Sequence, residues 1–341
     1  MSTHNTVLVT GGSGFVGGWV ICTLLERGYR VRTTMRSLAR EAELRAALGD
    51  VLSVPDRLEV VVADLKADAG WDKAMAGATF VQHIASPMPV GEFRGQDLLT
   101  PAREGTLRVL RAAEQAGVRR IVLTSSIMAS LPERALGHVY TEADWTDPAA
   151  PKVSEYGRAK TLAEQAAWGF IEASRSGMTL TTILPGAIQG PLLTPDLAGW
   201  ADLLVRMLSG KVPMLPRVGM SMVDVRDLAE LHVRAMEAPG AAGQRFIAAS
   251  EFVWFAEVAE FLREALGDRA AKVSTRVAPD LLTRLIALFN ADLRQLVPLL
   301  GQHKTMSSEK AANLLDWHGR SIRESIADAG RSILAVKERV G

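Results

Sequence analysis

The chain has 341 residues, 48% of them hydrophobic and 23% charged, so it is long enough to bury a large core as one domain or two interlocked ones. Its 39 basic and 38 acidic residues are evenly mixed and leave a formal net charge of +1, which argues against a nucleic acid or an anionic membrane as partner. The single cysteine, Cys22, excludes an internal disulfide and a cysteine metal site and is typical of a reducing compartment.

The chain begins with MSTHNTVLVTGG, which has neither the basic region nor the cleavage site of a signal peptide. No apolar run reaches the roughly 18 residues that a membrane span needs. We therefore expect a cytoplasmic protein without a membrane partner.

Short β-rich runs alternate with helical patterns over the first half of the chain. The runs predicted as strands are VLVT (7–10), YRVRTTMR (29–36), LEVVVADL (58–65), TFVQHIAS (79–86), RRIVLTSS (119–126) and MTLTTILPG (178–186). The patterns predicted as helices are WVICTLLERG (19–28), EGTLRVLRAAEQAG (104–117) and SEYGRAKTLAEQAAWGFIEAS (154–174). This alternation predicts an α/β fold of the Rossmann type, a doubly wound parallel sheet covered on both faces.

The pattern changes after Gly186, where prolines become frequent and the helical pieces become short. We expect an inserted cap over 187–222, a helix over 223–237 and a strand at 244–250 that returns the chain to the sheet. The remainder reads as mostly amphipathic helix, with a loop at 301–308. The predicted domains are therefore a Rossmann domain of residues 1–186 rejoined by 223–250, and a smaller, mostly helical domain of 187–222 and 251–341.

The stretch VTGGSGFVGGWV places Gly11, Gly14 and Gly17 between the first strand and the first helix. Glycines there allow a tight turn and let a pyrophosphate approach the free N–H groups of the helix N-terminus. Phe15 and Val16, which lie between these glycines, are further candidates for a cofactor contact. The alternative is a glycine-rich turn without a ligand. The strand-loop-helix context favours a dinucleotide cofactor.

The end of the second predicted strand separates the two nicotinamide cofactors. A carboxylate there would bind the 2′-hydroxyl of NAD, but RTTMRSLAR contains no acid and instead offers Arg36, with Arg40 nearby. A guanidinium suits a phosphate, so the pattern favours NADP(H) as cofactor; the alternative is that Arg36 is a solvated charge at a strand end. After the third strand, Asp64 and Leu65 are candidates for the adenine site. The presence of Asp64 at this position is explained equally well if its side chain caps the next turn.

The stretch VSEYGRAK places Tyr156 four residues before Lys160, on one face of the predicted helix. Hydride transfer to a carbonyl needs a proton donor for the oxygen, and a lysine cation makes a tyrosine a better donor because it stabilises the phenolate. A companion hydroxyl is expected at a strand end, and Ser126 supplies it, although such hydroxyls can also simply terminate a strand.

With these motifs in order, the chain resembles an extended short-chain dehydrogenase/reductase of the dihydroflavonol-4-reductase, cinnamoyl-CoA reductase and microbial aldehyde/ketone reductase group. The resemblance covers nearly the whole length and rests on the segments VTGGSGFVGGWV, VRTTMR, VVADL, HIASPMP, EGTLRVLRAA, RRIVLTSS, YGRAKTLAEQAAW, ILPGAIQGP, VDVRDLAELHV and SEKAANLLDWHGRSIRESI.

The resemblance implies three catalytic residues: Ser126 orients the carbonyl, Tyr156 is the general acid, and Lys160 assists Tyr156 and holds the nicotinamide ribose. It also places Arg36 at the 2′-phosphate. Further cofactor contacts are implied for Ala85, Ser86, Pro87, Thr124, Pro185, Gly186 and Ile188. One departure is Ala102, which stands where many short-chain enzymes carry an asparagine of the proton relay.

Apolar residues after the strand ends and in the insertion are candidates for the substrate pocket. They are Met88, Pro89, Ile127, Met128, Leu192, Leu193, Trp200 and Met207, of which Leu193 and Met207 fit equally well as core of the smaller domain. His138 and Tyr140 are further candidates for a substrate contact. Such a pocket suits a bulky hydrophobic or aryl carbonyl compound. The six histidines show no metal-ligand spacing.

The sequence thus predicts an NADPH-dependent carbonyl reductase that acts on a small molecule as a monomer or homodimer. A nucleotide-sugar epimerase or dehydratase, or a steroid-type dehydrogenase, is the alternative on the same fold. Epimerases retain NAD, and the absence of an acid beside Arg36 counts against them. A remote alternative is a regulator that senses NADP(H) without turning it over, which has no need for Ser126, Tyr156 and Lys160 together.

Overall fold

The computed structural model describes residues 5–52, 57–86, 99–134, 137–194 and 199–340. The strands in these ranges are β1 (Thr6–Thr10), β2 (Arg30–Met35), β3 (Leu58–Val62), β4 (Ala78–His83), β5 (Arg120–Thr124), β6 (Val139–Tyr140), β7 (Thr179–Pro185), β8 (Ala187–Gln189), β9 (Gly219–Asp224), β10 (Arg245–Ala248), β11 (Glu251–Trp254) and β12 (Thr305–Met306).

The helices follow the predicted alternation and add short ones. They are α1 (Phe15–Glu26), α2 (Glu41–Gly49), α3 (Trp71–Met75), α4 (Leu99–Gln115), α5 (Glu155–Ala173), α6 (Trp200–Leu208), α7 (Val225–Glu237), α8 (Phe255–Leu266), α9 (Asp280–Ala287), α10 (Ala291–Leu296), α11 (Glu309–Leu315) and α12 (Ile322–Val340).

The main sheet has the strand order β10-β7-β5-β4-β1-β2-β3, and every pairing in it is parallel. Strands β1, β4 and β7 are almost continuously buried, as expected when helices cover both faces, while the edge strand β3 is partly exposed. One face packs on α1 and α7 and the other on α3, α4 and α5. The predicted Rossmann-type α/β fold is confirmed, including the late return of the chain to the sheet at β10.

The strand order reverses between β1 and β4, because the chain leaves β1 toward one face and β4 toward the other. Such a reversal opens a crevice at the carboxyl ends of the strands, which is where open α/β sheets bind ligands. The glycine loop follows β1, and the segment with Ala85 and Ser86 follows β4, so both border this crevice.

The smaller part of the chain is less purely helical than the sequence predicts. Strands β11, β9 and β8 form a second sheet, in which β11 is antiparallel and β8 parallel to β9. Helices α6, α8 and α12 pack on this sheet around a core of their own. Residues 251–254, predicted as the start of a helix, form the strand β11. All four of them pair with residues 219–222 of β9. The predicted loop at 301–308 contains β12, which pairs with β6.

Candidate active site

The glycine loop has the geometry of an anion site. Gly11 adopts φ +74°, a left-handed conformation that favours glycine, and its carbonyl oxygen accepts the N–H of Gly14 at 3.0 Å. A Cβ atom on Gly17 would lie 2.3 Å from the oxygen of Gly11, so no larger residue fits there. Gly14 is the N-cap of α1 and provides no capping side chain. The first N–H groups of α1, at Phe15 and Val16, are therefore available to a phosphate.

The arginines around the end of β2 have different surroundings. Arg36 is exposed just after β2 and makes no hydrogen bond or ion pair with the part of the chain that the structure describes. Arg40 donates two hydrogen bonds of 2.8 Å to Glu43. Arg32 is bound to Glu59 at 2.7 Å. Of the three, Arg36 has the guanidinium that is free to meet a ligand phosphate.

The loop after β3 shows that Asp64 caps a turn. Its Oδ1 accepts the N–H of Lys66 at 2.9 Å, and Leu65 packs against Gly105 of α4. The structure therefore confirms that Asp64 caps this turn. The cap uses one carboxylate oxygen and leaves the other for a ligand, so an adenine contact stays a prediction.

The segment after β4 is tied to the glycine loop. Ala85 donates its N–H to the carbonyl oxygen of Thr10 at 3.2 Å, and a Cβ atom on Gly11 would approach the Cα of Ala85 to 3.0 Å. Ser86 follows on the same border of the crevice. Pro87, Met88 and Pro89 lie outside the described residues.

Three predicted catalytic side chains meet where β5 ends and α5 begins. Ser154 Oγ caps α5 by accepting the N–H of Gly157 at 3.1 Å, which fixes Tyr156 in the first turn and Lys160 one turn later. The Nζ of Lys160 lies 6.0 Å from the centre of the Tyr156 ring. The short helical turn Ile127–Ser130, which starts at Ser126, packs against α5.

Ser126 presents its hydroxyl hydrogen for donation. Its Oγ accepts the N–H of Met128 at 3.2 Å, and the side chain is buried. No acceptor among the described residues takes the hydroxyl hydrogen, so Ser126 can donate it to a substrate oxygen. Lys160 is also buried, at 8% exposure, and donates to the carbonyl oxygen of Thr124 at 3.5 Å. That contact uses one of its three N–H donors.

A buried polar network, which the sequence does not reveal, supports Thr124 from the opposite face of the sheet. Gln82 donates from Nε2 to the carbonyl oxygen of His232 at 3.0 Å, so its Oε1 faces the ring and accepts from Nδ1 at 2.9 Å. Nε2 of His232 therefore accepts from the hydroxyl of Thr124, at 3.1 Å. Burial lowers the pKa of His232 to about 3, which keeps the ring neutral.

A second buried histidine, His83, ends β4 on the side of α4 and α5. Thr10 Oγ1 accepts the N–H groups of Ile84 and Ala85, so its hydrogen goes to Nδ1 of His83, at 2.9 Å. This leaves the proton of His83 on Nε2, a buried atom without a partner among the described residues. Burial, followed by the positive charge of Lys160, lowers the pKa of His83 to about 3.

The segment after β7 forms the far wall of the crevice. Pro185 ends β7 in a buried position, and a Cβ atom on Gly186 would lie 2.3 Å from the carbonyl oxygen of Ser221 in β9. Ile188 follows in β8 and is partly buried. The close approach at Gly186 holds the second sheet against the carboxyl end of the main sheet.

The predicted substrate residues divide into pocket candidates and core. Ile127 and Met128 sit in the turn after Ser126, and both are partly buried. Leu192 and Trp200 are partly buried on the core of the smaller part, where Trp200 packs edge to face on Phe255 at 5.4 Å.

Three further candidates belong to packed structure. Met207 is 1% exposed, which confirms the core interpretation, and Leu193 packs on Gly18 of α1. Tyr140 is 4% exposed and packs with Leu184, which favours a core role, and a substrate contact stays a prediction. His138 is bonded through Nε2 to Asp144 at 3.2 Å.

A small cavity lies behind Lys160. It has a volume of about 10 Å³ and is lined by Ala85, Ser86, Ala102, Thr106, Leu123, Thr124, Ser125, Lys160, Ala163 and Glu164. That volume is about what one water molecule needs. The methyl group of Ala102 thus occupies one wall of a polar cavity beside Lys160.

Two features that other functions need are absent from the described residues. These residues contain no group of three or more histidine, cysteine, aspartate or glutamate side chains that could hold a metal ion. None of their helices combines the length and apolar character that crossing a membrane requires. Cys22 is buried in α1, and this burial raises the pKa of its thiol to about 12, so it is no candidate nucleophile.

Comparison with known proteins gives consistent matches. The model of the NAD dependent epimerase/dehydratase family matches residues 7–249. Dihydroflavonol 4-reductase of Zea mays is 34% identical over 276 residues, covering 77% of this chain and 75% of that protein. Cinnamoyl-CoA reductase 1 of Oryza sativa subsp. japonica is 36% identical over 262 residues, covering 76% and 75%. The structure of Gre2 from Candida albicans in complex with NADPH superimposes with a TM-score of 0.80 at 25% identity, covering 97% of this chain and 99% of that one.

Proposed function

Because the chain belongs to the NAD dependent epimerase/dehydratase family, and to its extended short-chain dehydrogenase/reductase members, we propose that it is an NADPH-dependent carbonyl reductase. It reduces bulky hydrophobic or aryl aldehydes and ketones to alcohols. The reaction adds a hydride to the carbonyl carbon and a proton to the oxygen, and it runs in reverse as an alcohol dehydrogenase.

One observation carries this proposal. Ser126, Tyr156 and Lys160 converge at the carboxyl end of β5, on the edge of the sheet where the glycine loop opens. A hydroxyl with a free hydrogen, a phenol and a buried ammonium are the groups that an oxygen gaining negative charge requires.

The residues around the crevice fit a dinucleotide phosphate cofactor. The glycine loop leaves space that any Cβ atom at Gly17 would fill, α1 offers uncapped N–H groups, and Arg36 has a guanidinium without a described partner. We assign the pyrophosphate to the glycine loop with Phe15 and Val16, and the 2′-phosphate to Arg36, with Arg40 beside it.

The remaining cofactor assignments are those that the sequence and the family resemblance imply, and they include Pro87, which lies outside the described residues. The residues are Asp64, Leu65, Ala85, Ser86, Pro87, Thr124, Pro185, Gly186 and Ile188. NADPH when bound supplies the hydride. In this assignment residues 1–186 and 223–250 form the cofactor domain.

The chain's own residues handle the proton. Ser126 donates its hydroxyl hydrogen to the carbonyl oxygen and fixes its position, and Tyr156 transfers its phenolic proton to the same oxygen. Lys160 stabilises the phenolate that remains and directs its other N–H groups to the ribose hydroxyls. The cavity beside Ala102 and Thr106 gives a water molecule room to hydrogen-bond with Lys160, on the path by which a proton returns to Tyr156.

The substrate class follows from the side chains at the mouth of the site. Ile127 and Met128 follow Ser126 and are apolar and partly buried. We assign Leu192, Trp200 and Met88 to the same pocket because they are apolar and adaptable, and such side chains suit a flat or bulky hydrophobic carbonyl compound. Residues 187–222 and 251–341 form the substrate domain in this proposal. The names of the plant relatives, which specify dihydroflavonol and cinnamoyl-CoA, agree with an aryl substrate.

An epimerase on the same fold retains NAD through its cycle, and an acidic residue at the end of β2 would bind the 2′-hydroxyl of that NAD. Arg36 stands there instead, which favours the reductase. A sensor of NADP(H) leaves the convergence of Ser126, Tyr156 and Lys160 without a purpose.

The test is oxidation of NADPH, followed at 340 nm, with aryl aldehydes, α-ketoesters and cyclic ketones as substrates and with NADH in parallel. We expect turnover of at least one class of carbonyl with NADPH and slower turnover with NADH. Binding of NADPH without turnover of any carbonyl would overturn the reductase and favour the sensor.

A further inference from the structure

A buried carboxylate lies one helical turn beyond Lys160 and has no part in the chemistry described so far. Glu164 is fully buried, with a side-chain exposure of 0%. Its two oxygens accept from Ser125 Oγ at 2.6 Å, Thr182 Oγ1 at 2.7 Å, Arg245 Nε at 2.8 Å and Trp168 Nε1 at 3.3 Å. A carboxylate with this many donors is held in one orientation.

Arg245, the partner of this carboxylate, connects it to two loops. Its side chain comes from the edge strand β10 and is 8% exposed. Its Nη1 donates to the carbonyl oxygens of Glu142 at 2.6 Å and Asp144 at 3.0 Å, and its Nη2 to that of Ala129 at 3.4 Å. The guanidinium also stacks over the ring of Trp145, at 3.6 Å from its centre.

The connections lead to the reacting groups from three sides. Ser125, which donates to Glu164, is the neighbour of Ser126 in the chain. Ala129, which accepts from Arg245, belongs to the turn that Ser126 begins. Lys160 shares α5 with Glu164, and both line the same small cavity.

The arrangement is more than the sheet needs for its stability. Burying an ion pair is weakly favourable at best, and an apolar pair of the same volume serves packing as well. What the ion pair adds is a fixed geometry, because a charged pair with fixed hydrogen-bond donors holds Ser126 and Lys160 at one separation. In this arrangement Glu164 and Arg245 act through Ser126 and Lys160 and do not contact the substrate themselves.

We propose that Glu164 and Arg245 are positioning residues, which hold the hydroxyl of Ser126 and the ammonium of Lys160 in register for the reduction. The inference rests on the proposed carbonyl reductase function. Its consequence is that loss of the pair lowers kcat, with little effect on the KM for the carbonyl or on NADPH binding, since the glycine loop and Arg36 lie at other strands.

The key variant is Ser125→Ala, which removes the link between Glu164 and the chain beside Ser126 but keeps the ion pair. The matched control is Trp168→Phe, which removes a 3.3 Å hydrogen bond to Glu164 that lies within α5 and does not reach the chain beside Ser126. We expect Ser125→Ala to lower kcat about 10-fold, since a displacement of 1 Å can cost about 100-fold. Trp168→Phe should keep kcat. Ser125→Ala leaves one oxygen of a buried carboxylate short of a donor, so its melting temperature should fall, and kcat is measured at a temperature at which every variant is folded.

The pair itself is tested by Glu164→Gln/Arg245→Met, which removes both charges so that neither is left buried alone. We expect a lower melting temperature, because the carbonyl oxygens of Glu142, Asp144 and Ala129 lose their donor. At a temperature where the variant is folded we expect a lower kcat and a larger deuterium isotope effect with NADPH deuterated at the transferred position. Glu164→Asp, which keeps the charge but withdraws it by one methylene group, should lower kcat in the same way if the double variant does not fold.

Hydrogen exchange of residues 126–130 provides a readout that needs no substrate. In the cofactor-free protein we expect faster exchange there for Ser125→Ala and unchanged exchange for Trp168→Phe. Wild-type kcat and wild-type exchange in Ser125→Ala would overturn the proposal. If the wild type reduces no carbonyl, the proposed function fails, while the exchange measurement still decides whether the pair holds this turn.

Discussion

Lys160 donates from Nζ to the carbonyl oxygen of Thr124 at 3.5 Å, which joins the active-site helix α5 to the end of β5. Thr124 is in turn held by neutral His232 through its hydroxyl. The lysine is therefore anchored to a rigid strand end, and the tyrosine one turn before it shares that anchor.

Tyr156→Phe removes the proton donor and nothing else that the structure shows. We expect kcat to fall about 100-fold or more, the usual contribution of a positioned acid, while NADPH still binds. NADPH oxidation in a single turnover measures the loss. Tyr29→Phe is the matched control and should keep kcat, because the Tyr29 hydroxyl donates to Glu237, the last residue of α7, and to no residue of α5. Wild-type turnover in Tyr156→Phe would contradict the mechanism.

Arg36→Ala tests the choice of cofactor. A charge-assisted hydrogen bond to a phosphate is worth about 1.5–3 kcal/mol, so the KM for NADPH should rise about 10- to 100-fold while that for NADH changes little. Arg45→Ala removes a nearby arginine that is bonded to Glu41 instead, and it should leave both values unchanged. An equal loss with NADPH and NADH would show that Arg36 serves the fold or the shared part of the cofactor.

Much of this architecture could be predicted from the sequence, because the relevant signals are local. The strand-loop-helix at Gly11–Gly17 and the Tyr156–Lys160 spacing each lie within a few residues, and the alternation of strands and helices fixes the main sheet. The second sheet could not be predicted in this way, since β8, β9 and β11 are short and are defined by pairing with distant partners.

The supports of the site depend on contacts between residues far apart in the sequence. His232 reaches Thr124 over 108 positions, and Arg245 reaches Glu164 over 81. One signal was available, namely an acidic residue four positions after Lys160 on a helix face rich in alanine. Its partner could not be found, because β10 joins the main sheet only after the chain has passed through β8 and β9 of the second sheet.

Two glycines give opposite predictions for substitution by alanine. A Cβ atom at Gly17 would lie 2.3 Å from the oxygen of Gly11, so Gly17→Ala should displace the loop and weaken NADPH binding. Gly169 is exposed within α5 and has nothing within 4 Å of an added Cβ, so Gly169→Ala should raise the free energy of unfolding by about 0.5–1 kcal/mol. Urea unfolding and NADPH titration measure the two effects. A stabilised, cofactor-binding Gly17→Ala would contradict the proposed phosphate loop.

The buried histidines predict how stability depends on pH. The pKa values of His83 and His232 are lowered from 6.5 to about 3, chiefly by burial. Below pH 6.5 the unfolded chain therefore takes up protons at both rings while the folded protein does not. Their contribution to the free energy of unfolding is complete above pH 6.5, and it is lost as the pH falls from there toward 3.

Each ring should lower the free energy of unfolding by about 1.4 kcal/mol per pH unit in this window. Urea unfolding at pH 6.0, 5.5 and 5.0 measures the slope, before most carboxylates titrate. His232→Gln should reduce the part of the slope due to histidine by about half, whatever its effect on stability at pH 7, because the slope counts protons and not contacts. An unchanged slope would mean that His232 takes up its proton without unfolding, and the neutral ring assigned to Thr124 would then be wrong.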